Sequence, residues 1–351
     1  MKKGIQYQKE LSLEKLKNND FTTIELPYGE DIVEKGIIIA GVIVKLSTLE
    51  SADFDAVLDF TEKKDAEYLV IDTCEEKNAE GLLQMIENNK KKLCGKKFEI
   101  YIENGYVRGN NGDVTYSEFS EWRHLTELVK KCNNILGRQQ FGICLNMGYM
   151  NLLGQNPRKM IAGTAEYLKV FHMNDNDGKR DMHQIPYSFT TGRGALSTDL
   201  YRAIGQLIAI GYEGYLIFDT TGIFKRIPMD LQDAFLNLLN GLARVWEDEF
   251  HFEDKLNQPG KKIILFGAGA MAKTYLDQWE EKYPPAFLID NNSEIWGVVR
   301  GGYEIKSPEA ILEIPEDERI VLICNMYYDA VAKQLNEMGV RYDYFWDQYY
   351  I

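Results

Sequence analysis

Along the first 250 residues, short apolar runs alternate with longer segments whose apolar positions recur every third or fourth residue. The runs that read as strands are GIQY (4–7), FTTIEL (21–26), GIIIAGVIVKL (36–46), EYLVIDT (67–73), FEIYIEN (98–104), FGICLNM (141–147), LKVFHMN (168–174) and YLIFDT (215–220). Between them, segments such as FDAVLDFTEKK, AEGLLQMIENNKKKL, FSEWRHLTELVKKC, PRKMIAGTAEY and TDLYRAIGQLIAIGY carry helical spacing, and DLQDAFLNLLNGLARVWEDEF closes the set. Such alternation predicts parallel strands joined by helices. Eight β/α units in about 250 residues match a closed (β/α)8 TIM barrel, whose active site lies at the C-terminal ends of its strands. An open doubly wound sheet has the same periodicity and is the competing fold.

The pattern breaks at 251–260, HFEDKLNQPG, where polar residues and a Pro-Gly pair predict a linker. It restarts as strand, glycine turn and helix in KKIILFGAGAMAKTYLDQWEEKY, with further strands in AFLID (286–290), RIVLIC (319–324) and YDYFW (342–346). The expectation is an α/β chain: a barrel over 1–250, a linker over 251–260, and a small Rossmann-like parallel-sheet domain over 261–351.

Charge narrows the partners. Forty basic residues against 54 acidic ones give a formal charge of −14, which repels phosphate backbones and anionic lipid, so neither nucleic acid nor a membrane is the expected partner. The five cysteines are scattered without a CxxC pair, as in a cytoplasmic protein with reduced thiols. No apolar h-region follows the N-terminal lysines, and GIIIAGVIV is half the length a bilayer span needs.

In a barrel, side chains at the strand tips converge on one mouth. The tips read as Glu25, Asp72, Glu103, Asn146, His172 and Asp219. Period-two alternation puts Leu168, Val170 and His172 on one face, and Glu103 above Tyr101. Glu103, Asn146, His172 and Asp219 form a mixed oxygen and nitrogen set that suits Mg²⁺, Mn²⁺, Co²⁺, Fe²⁺ or Zn²⁺ and proton abstraction beside a carbonyl. The residues equally fit ordinary polar strand ends, because no local motif such as HExxH accompanies them.

The segments YIENGY, GICLNMGYMNLLG, LKVFHMNDNDGKRDMHQIP and TTGRGALSTDLYRAIGQLIAIGYEGYLIFD, in that order, resemble the sugar phosphate isomerase/epimerase family with its xylose isomerase-like barrel. The resemblance implies Glu103 and Asp219 as catalytic carboxylates, and Glu103, Asn146, His172 and Asp219 as ligands of a divalent metal such as Mn²⁺, Mg²⁺, Zn²⁺ or Co²⁺. Three positions depart from the family pattern: Asn146 replaces an aspartate, Tyr149 a histidine and Asp219 a glutamate. Asn146 removes a charge from the ligand set, and Asp219 shortens a stem by roughly 1.5 Å, a displacement that matters to a base reaching for a proton. Two functions stay open: a metal-dependent isomerase or epimerase acting on a sugar, polyol or sugar derivative with an altered site, or a carbohydrate- or nucleotide-sugar-binding protein without that chemistry.

The stretch 170–183, VFHMNDNDGKRDMH, fails as an EF-hand loop because Met173 and Gln184 fall where acidic ligands are required. The resemblance implies Asp175, Asp181 and His183 as loop residues over the mouth that bind substrate or orient ligands; the Tyr149 hydroxyl can hydrogen-bond a substrate oxygen, and Arg193, within TTGRGA, offers positive charge to a phosphate or carboxylate, a role that competes with that of an ordinary surface arginine. His124 and His251 read as structural or solvent-facing. In the second domain Gly267, Gly269 and Ala272 give a GxGxxA spacing after a strand, and Asp290 ends the next strand. That arrangement lets bare backbone amides approach a phosphate and places Asp290 near where a ribose-binding acid is expected, although glycines there also serve close strand-helix packing. FLIDNNSEIWG and GGYEIKSPEAI resemble the small Rossmann-like domains of bacterial glycosyltransferases, methyltransferases and sugar-modifying enzymes, a resemblance that implies a nucleotide or nucleotide-sugar as the ligand of this domain.

Overall fold

The computed structural model describes residues 1–32, 34–51, 54–189 and 199–345. Arg193 lies outside the described residues. Two compact units divide between Glu247 and Asp248.

In the first unit eight parallel strands close into a barrel: β1 Lys2–Gln6, β2 Thr23–Pro27, β3 Ile38–Lys45, β4 Tyr68–Asp72, β5 Glu99–Glu103, β6 Phe141–Asn146, β7 Leu168–Met173 and β8 Tyr215–Phe218. Each overlaps a strand expected from the apolar runs. Closure is made by β1, which pairs β8 through Ile5 opposite Phe218 and β2 through Ile5 opposite Ile24. The open sheet is thereby excluded. Among the elements the apolar pattern did not give is a small hairpin after β5 that pairs Val107–Arg108 with Val114–Thr115.

Alternation along the strands builds first the core and then the site. Tyr68 and Val70 precede Asp72 on β4, Tyr101 precedes Glu103 on β5, Cys144 precedes Asn146 on β6, Val170 precedes His172 on β7, and Tyr215 and Ile217 precede Asp219. The apolar members all belong to one buried cluster. The polar members follow at the C-terminal tips, as expected when side chains two residues apart share a face. Tyr68 is central to this interior, its ring 5.2 Å from those of both Tyr101 and Tyr215.

The connecting helices start and stop on local signals. Asn146 caps Met147–Leu152, Asn156 caps Pro157–Thr164 with a proline in the first turn, and Asp199 caps Leu200–Ala209. Trp122–Leu136 ends on Gly137 in the left-handed region at φ 73°. Among the described residues no helix is long and apolar enough to cross a membrane.

The second unit holds strands β9 Lys262–Phe266, β10 Pro285–Ile289, β11 Val299–Arg300, β12 Tyr303–Lys306, β13 Arg319–Ile323 and β14 Asp343–Tyr344, in the order β11-β12-β10-β9-β13-β14. Only the β11–β12 pair is antiparallel. Successive residues of β9 enter opposite cores: Ile263 and Leu265 pack with helix Ala270–Trp279, Ile264 and Phe266 with helix Tyr328–Glu337. Burial on both faces explains why this strand reads as a continuous apolar run. Within the segment read as a linker, Phe252–Leu256 form a short helix, and Leu256 is buried in the core of this unit.

Gly41 on β3 exists for the tyrosine layer: a Cβ there would stand 2.0 Å from Tyr68 Cε2. Flanked by Tyr101 and Tyr215, the ring has nowhere to retreat. Gly41→Ala is expected to lower stability by about 1–3 kcal/mol through overpacking, read as a lower urea midpoint with an unchanged slope. An unaltered midpoint would show that the tyrosine layer relaxes.

Candidate active site

The tips of five barrel strands and the loop after β7 bring the site residues together. His172, at the end of β7, is fully buried between two carboxylates: Nδ1 lies 2.6 Å from Glu103 Oε1, and Nε2 3.1 Å from Glu25 Oε2. Glu25 also accepts a hydrogen bond from Gln6 Nε2 at 3.2 Å. Beside it, His183 Nδ1 lies 2.7 Å from Oδ2 of Asp219, which follows the neighbouring strand β8, and His183 Nε2 lies 3.0 Å from Asp181 Oδ1. The mouth therefore holds two carboxylate–imidazole groups.

Asn146 joins them. Its Nδ2 donates to Glu103 Oε1 at 3.0 Å and to Asp219 Oδ2 at 3.2 Å. Its Oδ1 accepts from the backbone N–H groups of Gly148 and Tyr149, and from Asn174 Nδ2 at 2.9 Å. The amide orientation is thus fixed by chemistry, since the flipped side chain would set its NH₂ against three donors and its oxygen against two carboxylates. Gly148 makes room for this arrangement, because a Cβ there would fall 2.0 Å from Asn174 Oδ1.

The remaining expected residues divide. Tyr149 is buried beside the mouth, edge-on to Tyr106 at 5.2 Å and to His183 at 6.1 Å. Asp181 accepts from Tyr106 Oη at 3.2 Å, and Arg108 donates to that same hydroxyl at 2.9 Å. Asp175 is turned to its own loop, accepting from the backbone of Asn176 and Phe189 and pairing by backbone with Gln184. His183 itself has φ 46°, in the left-handed region, and its carbonyl accepts from Gly222 N. Such strain in a non-glycine residue is held only where the surroundings fix it. A Cβ at Gly222 would lie 1.8 Å from Met182 O, so this glycine is what lets the strap approach.

Cys144 and Asn174 are site residues that reading the strand tips alone missed. Alternation would have found them, because Cys144 lies two residues before Asn146 and Asn174 two after His172. A carboxylate oxygen of Glu103, the Cys144 sulfur and a ring nitrogen of His172 lie within 4.8 Å of one another, a buried cluster that could hold a metal ion.

The charges of this site are set by burial against pairing. Burial alone would lower the His172 pKa, but Cys144, Glu25 and Glu103 overcome it and hold the imidazole well above its ordinary value. His183 behaves likewise, burial being outweighed by Asp219 and Asp181. Asp219 is the complement: burial would raise it, yet His183, His172 and Asn146 hold it low. Burial pushes Glu103 up despite His172. Asp72 is raised to about 7 by burial and by the nearby Glu103.

In the second unit Gly267 has φ 123°, and a Cβ there would stand 2.2 Å from Cys324 O, so close strand packing requires this glycine. Asp290 Oδ2 accepts from Ala268 N at 3.1 Å and its Oδ1 from Asn292 N at 2.9 Å. Both oxygens already tie down the loops. Gly269 stands at the N-terminus of helix Ala270–Trp279 with open space around it.

The family model described as C2185-like, N-terminal matches residues 260–344, in the second unit. No curated protein matches the chain. Among solved structures, a D-psicose 3-epimerase in the presence of D-fructose is similar with TM-score 0.50 and 15% identity, over 70% of this chain and 99% of that one. A D-allulose 3-epimerase from Methylomonas sp. in complex with D-allulose gives 0.51 and 12%, over 70% and 96%. The IOLI protein with a binding zinc atom gives 0.50 and 12%, over 72% and 99%. At these identities the likeness establishes the fold alone: a closed eight-stranded TIM barrel, carried here with an additional sheet domain.

Proposed function

We propose that the barrel acts on a sugar, polyol or sugar derivative by moving a proton at a carbon next to a carbonyl, with Glu103 and Asp219 as the acid and base. The observation that carries this reading is the meeting of these two carboxylates, from strands β5 and β8, on the single amide nitrogen of Asn146, each backed by its own imidazole. One carboxylate would take the proton from carbon, and the other would return a proton to the opposite side. Polarising the carbonyl oxygen falls to His183, whose ring is a fifth exposed and can exchange Asp181 for a substrate oxygen. Tyr149, edge-on to that ring, would border the substrate hydroxyls.

A second reading, carbohydrate binding without chemistry, is favoured by the burial of Glu103 and Asp219, which are only 1% and 2% exposed and already hydrogen-bonded within the protein. One experiment separates the two. Incubated with a panel of ketoses and keto-sugars in D₂O, the protein is expected to exchange hydrogen at the carbon next to the carbonyl, followed by NMR. Glu103→Gln and Asp219→Asn are each expected to slow exchange about 10²–10⁴-fold. Saturable binding of a sugar without exchange would leave the binding reading.

The titrations also give a stability profile. His172 and His183 are raised in the folded state, so their contribution is full below the unfolded imidazole value of about 6.5 and is lost as pH rises through their folded values. Asp219 is held low, so its contribution is present above its unfolded value of about 3.9 and fades only as acid reaches its folded one. Asp72, raised to about 7, costs stability as the pH rises from its unfolded value through about 7. Urea midpoints measured from about pH 5 to about pH 9 are therefore expected to fall on the alkaline side. His172→Leu, which strands two buried carboxylates, is expected to cost about 3–5 kcal/mol at neutral pH and to flatten that fall. An alkaline fall of unchanged size in the variant would exclude His172 as a source.

A further inference from the structure

We infer that Asn146 makes the mouth of this barrel a hydrogen-bonded site in place of a divalent-metal site, and that this one side chain decides between the two. The inference concerns the residues named above but does not depend on whether they turn over a substrate.

The fit of the expected metal set fails on geometry. A hard cation shared by Glu103 and Asp219 needs oxygen ligands at about 2.0–2.6 Å. The point on which those two carboxylates converge is occupied by an N–H donor, Asn146 Nδ2, 3.0 and 3.2 Å from them. For Asn146 to present its oxygen instead, the amide would have to turn over. That oxygen is held by three donors: the backbone N–H groups of Gly148 and Tyr149, where it caps helix Met147–Leu152, and Asn174 Nδ2. Turning it would lose the cap and set N–H groups against one another. His172 fits no better, because a ligand nitrogen must present a free lone pair and both of its ring nitrogens face carboxylates, Glu103 at 2.6 Å and Glu25 at 3.1 Å. Asn174 Nδ2, 3.4 Å from Asp219 Oδ2, adds a further donor.

An aspartate at position 146 would reverse this. One carboxylate oxygen could keep the cap, since aspartate caps helices as well as asparagine does. The other would face Glu103 and Asp219, and three carboxylates crowded out of water need a cation.

The test is titration of the purified full-length protein with Co²⁺, read by absorbance and by metal content after gel filtration, and by the shift in thermal midpoint. The wild type is expected to retain no stoichiometric Co²⁺ and to show no metal-dependent midpoint. Asn146→Asp is expected to bind one equivalent at least about 100-fold more tightly than wild type, to be stabilised by it, and to lose it again when Glu103→Gln is added. One equivalent in the wild type, lost in Glu103→Gln, would overturn the inference. A sulfur-to-cobalt charge-transfer band abolished by Cys144→Ser would overturn it in favour of the Glu103–Cys144–His172 cluster. A folded Asn146→Asp that gains no metal would also overturn it. If Asn146→Asp does not fold, the wild-type titration decides alone, absence of stoichiometric Co²⁺ supporting the inference and its presence, sensitive to Glu103→Gln, overturning it.

Discussion

Carboxylates shut away from water govern this barrel. Glu25, Glu103 and Asp219 are all 2% exposed or less, and an ionised carboxylate so placed is tolerated only when paired and hydrogen-bonded. The protein meets this with imidazoles and amides. His172 lies between two of the carboxylates, His183 against the third, and the Asn146 amide spans the gap. Each part is then indispensable to its neighbour, because removing one partner of a buried pair leaves the other uncompensated. The same mutual dependence sets the titrations: the histidines rise because the carboxylates are there, and Asp219 stays low because the histidines are.

The mouth can hold such a network because what lies beneath it is rigid. Tyr68, Tyr101 and Tyr215 fill the interior with rings in contact, and Gly41 removes the side chain that would displace Tyr68. The strands then deliver their tips in fixed register, Asn146 opposite His172. From above, the strap carrying His183 is drawn in by Gly222, whose missing side chain allows the carbonyl of Met182 to approach. Local helix formation enters the site directly, since the oxygen that caps Met147–Leu152 is on the amide that bridges the carboxylates.

Much of this was legible in the sequence. Parallel strands buried on both faces are apolar runs, so all eight barrel strands and a polar residue toward the end of six of them could be read from the chain, and Glu25, Glu103, Asn146, His172 and Asp219 do meet. The hairpin at 107–115 could not, because its strands are two residues long and lie in a stretch, GYVRGNNGDVTY, dominated by turn-forming residues. Nor could the direction of the Asn146 amide. As a residue type it offers an oxygen ligand, and which atom faces the carboxylates is settled by a helix cap and by Asn174, partners that exist only once the chain has folded. Asp175 shows the same limit: the family resemblance implies a group over the mouth, whereas its oxygens hold backbone N–H groups of its own loop.

The two units differ in what their motifs signify. In the second, glycine spacing and a following aspartate satisfy a local pattern, yet Gly267 is required by the proximity of Cys324 O and both Asp290 oxygens fasten the turns. Each residue of that pattern with a clear reason to be there is accounted for by the fold itself. In the barrel, Glu25, Glu103, His172, His183 and Asp219 are separated by up to 194 positions in sequence and have no folding reason to meet. Parallel strands could end in any polar residue that reaches solvent, and burying four ionisable side chains together, with a fifth beside them, is an expensive alternative to burying none. Convergence of costly groups from distant segments is stronger evidence of a function than a motif whose residues the fold already needs.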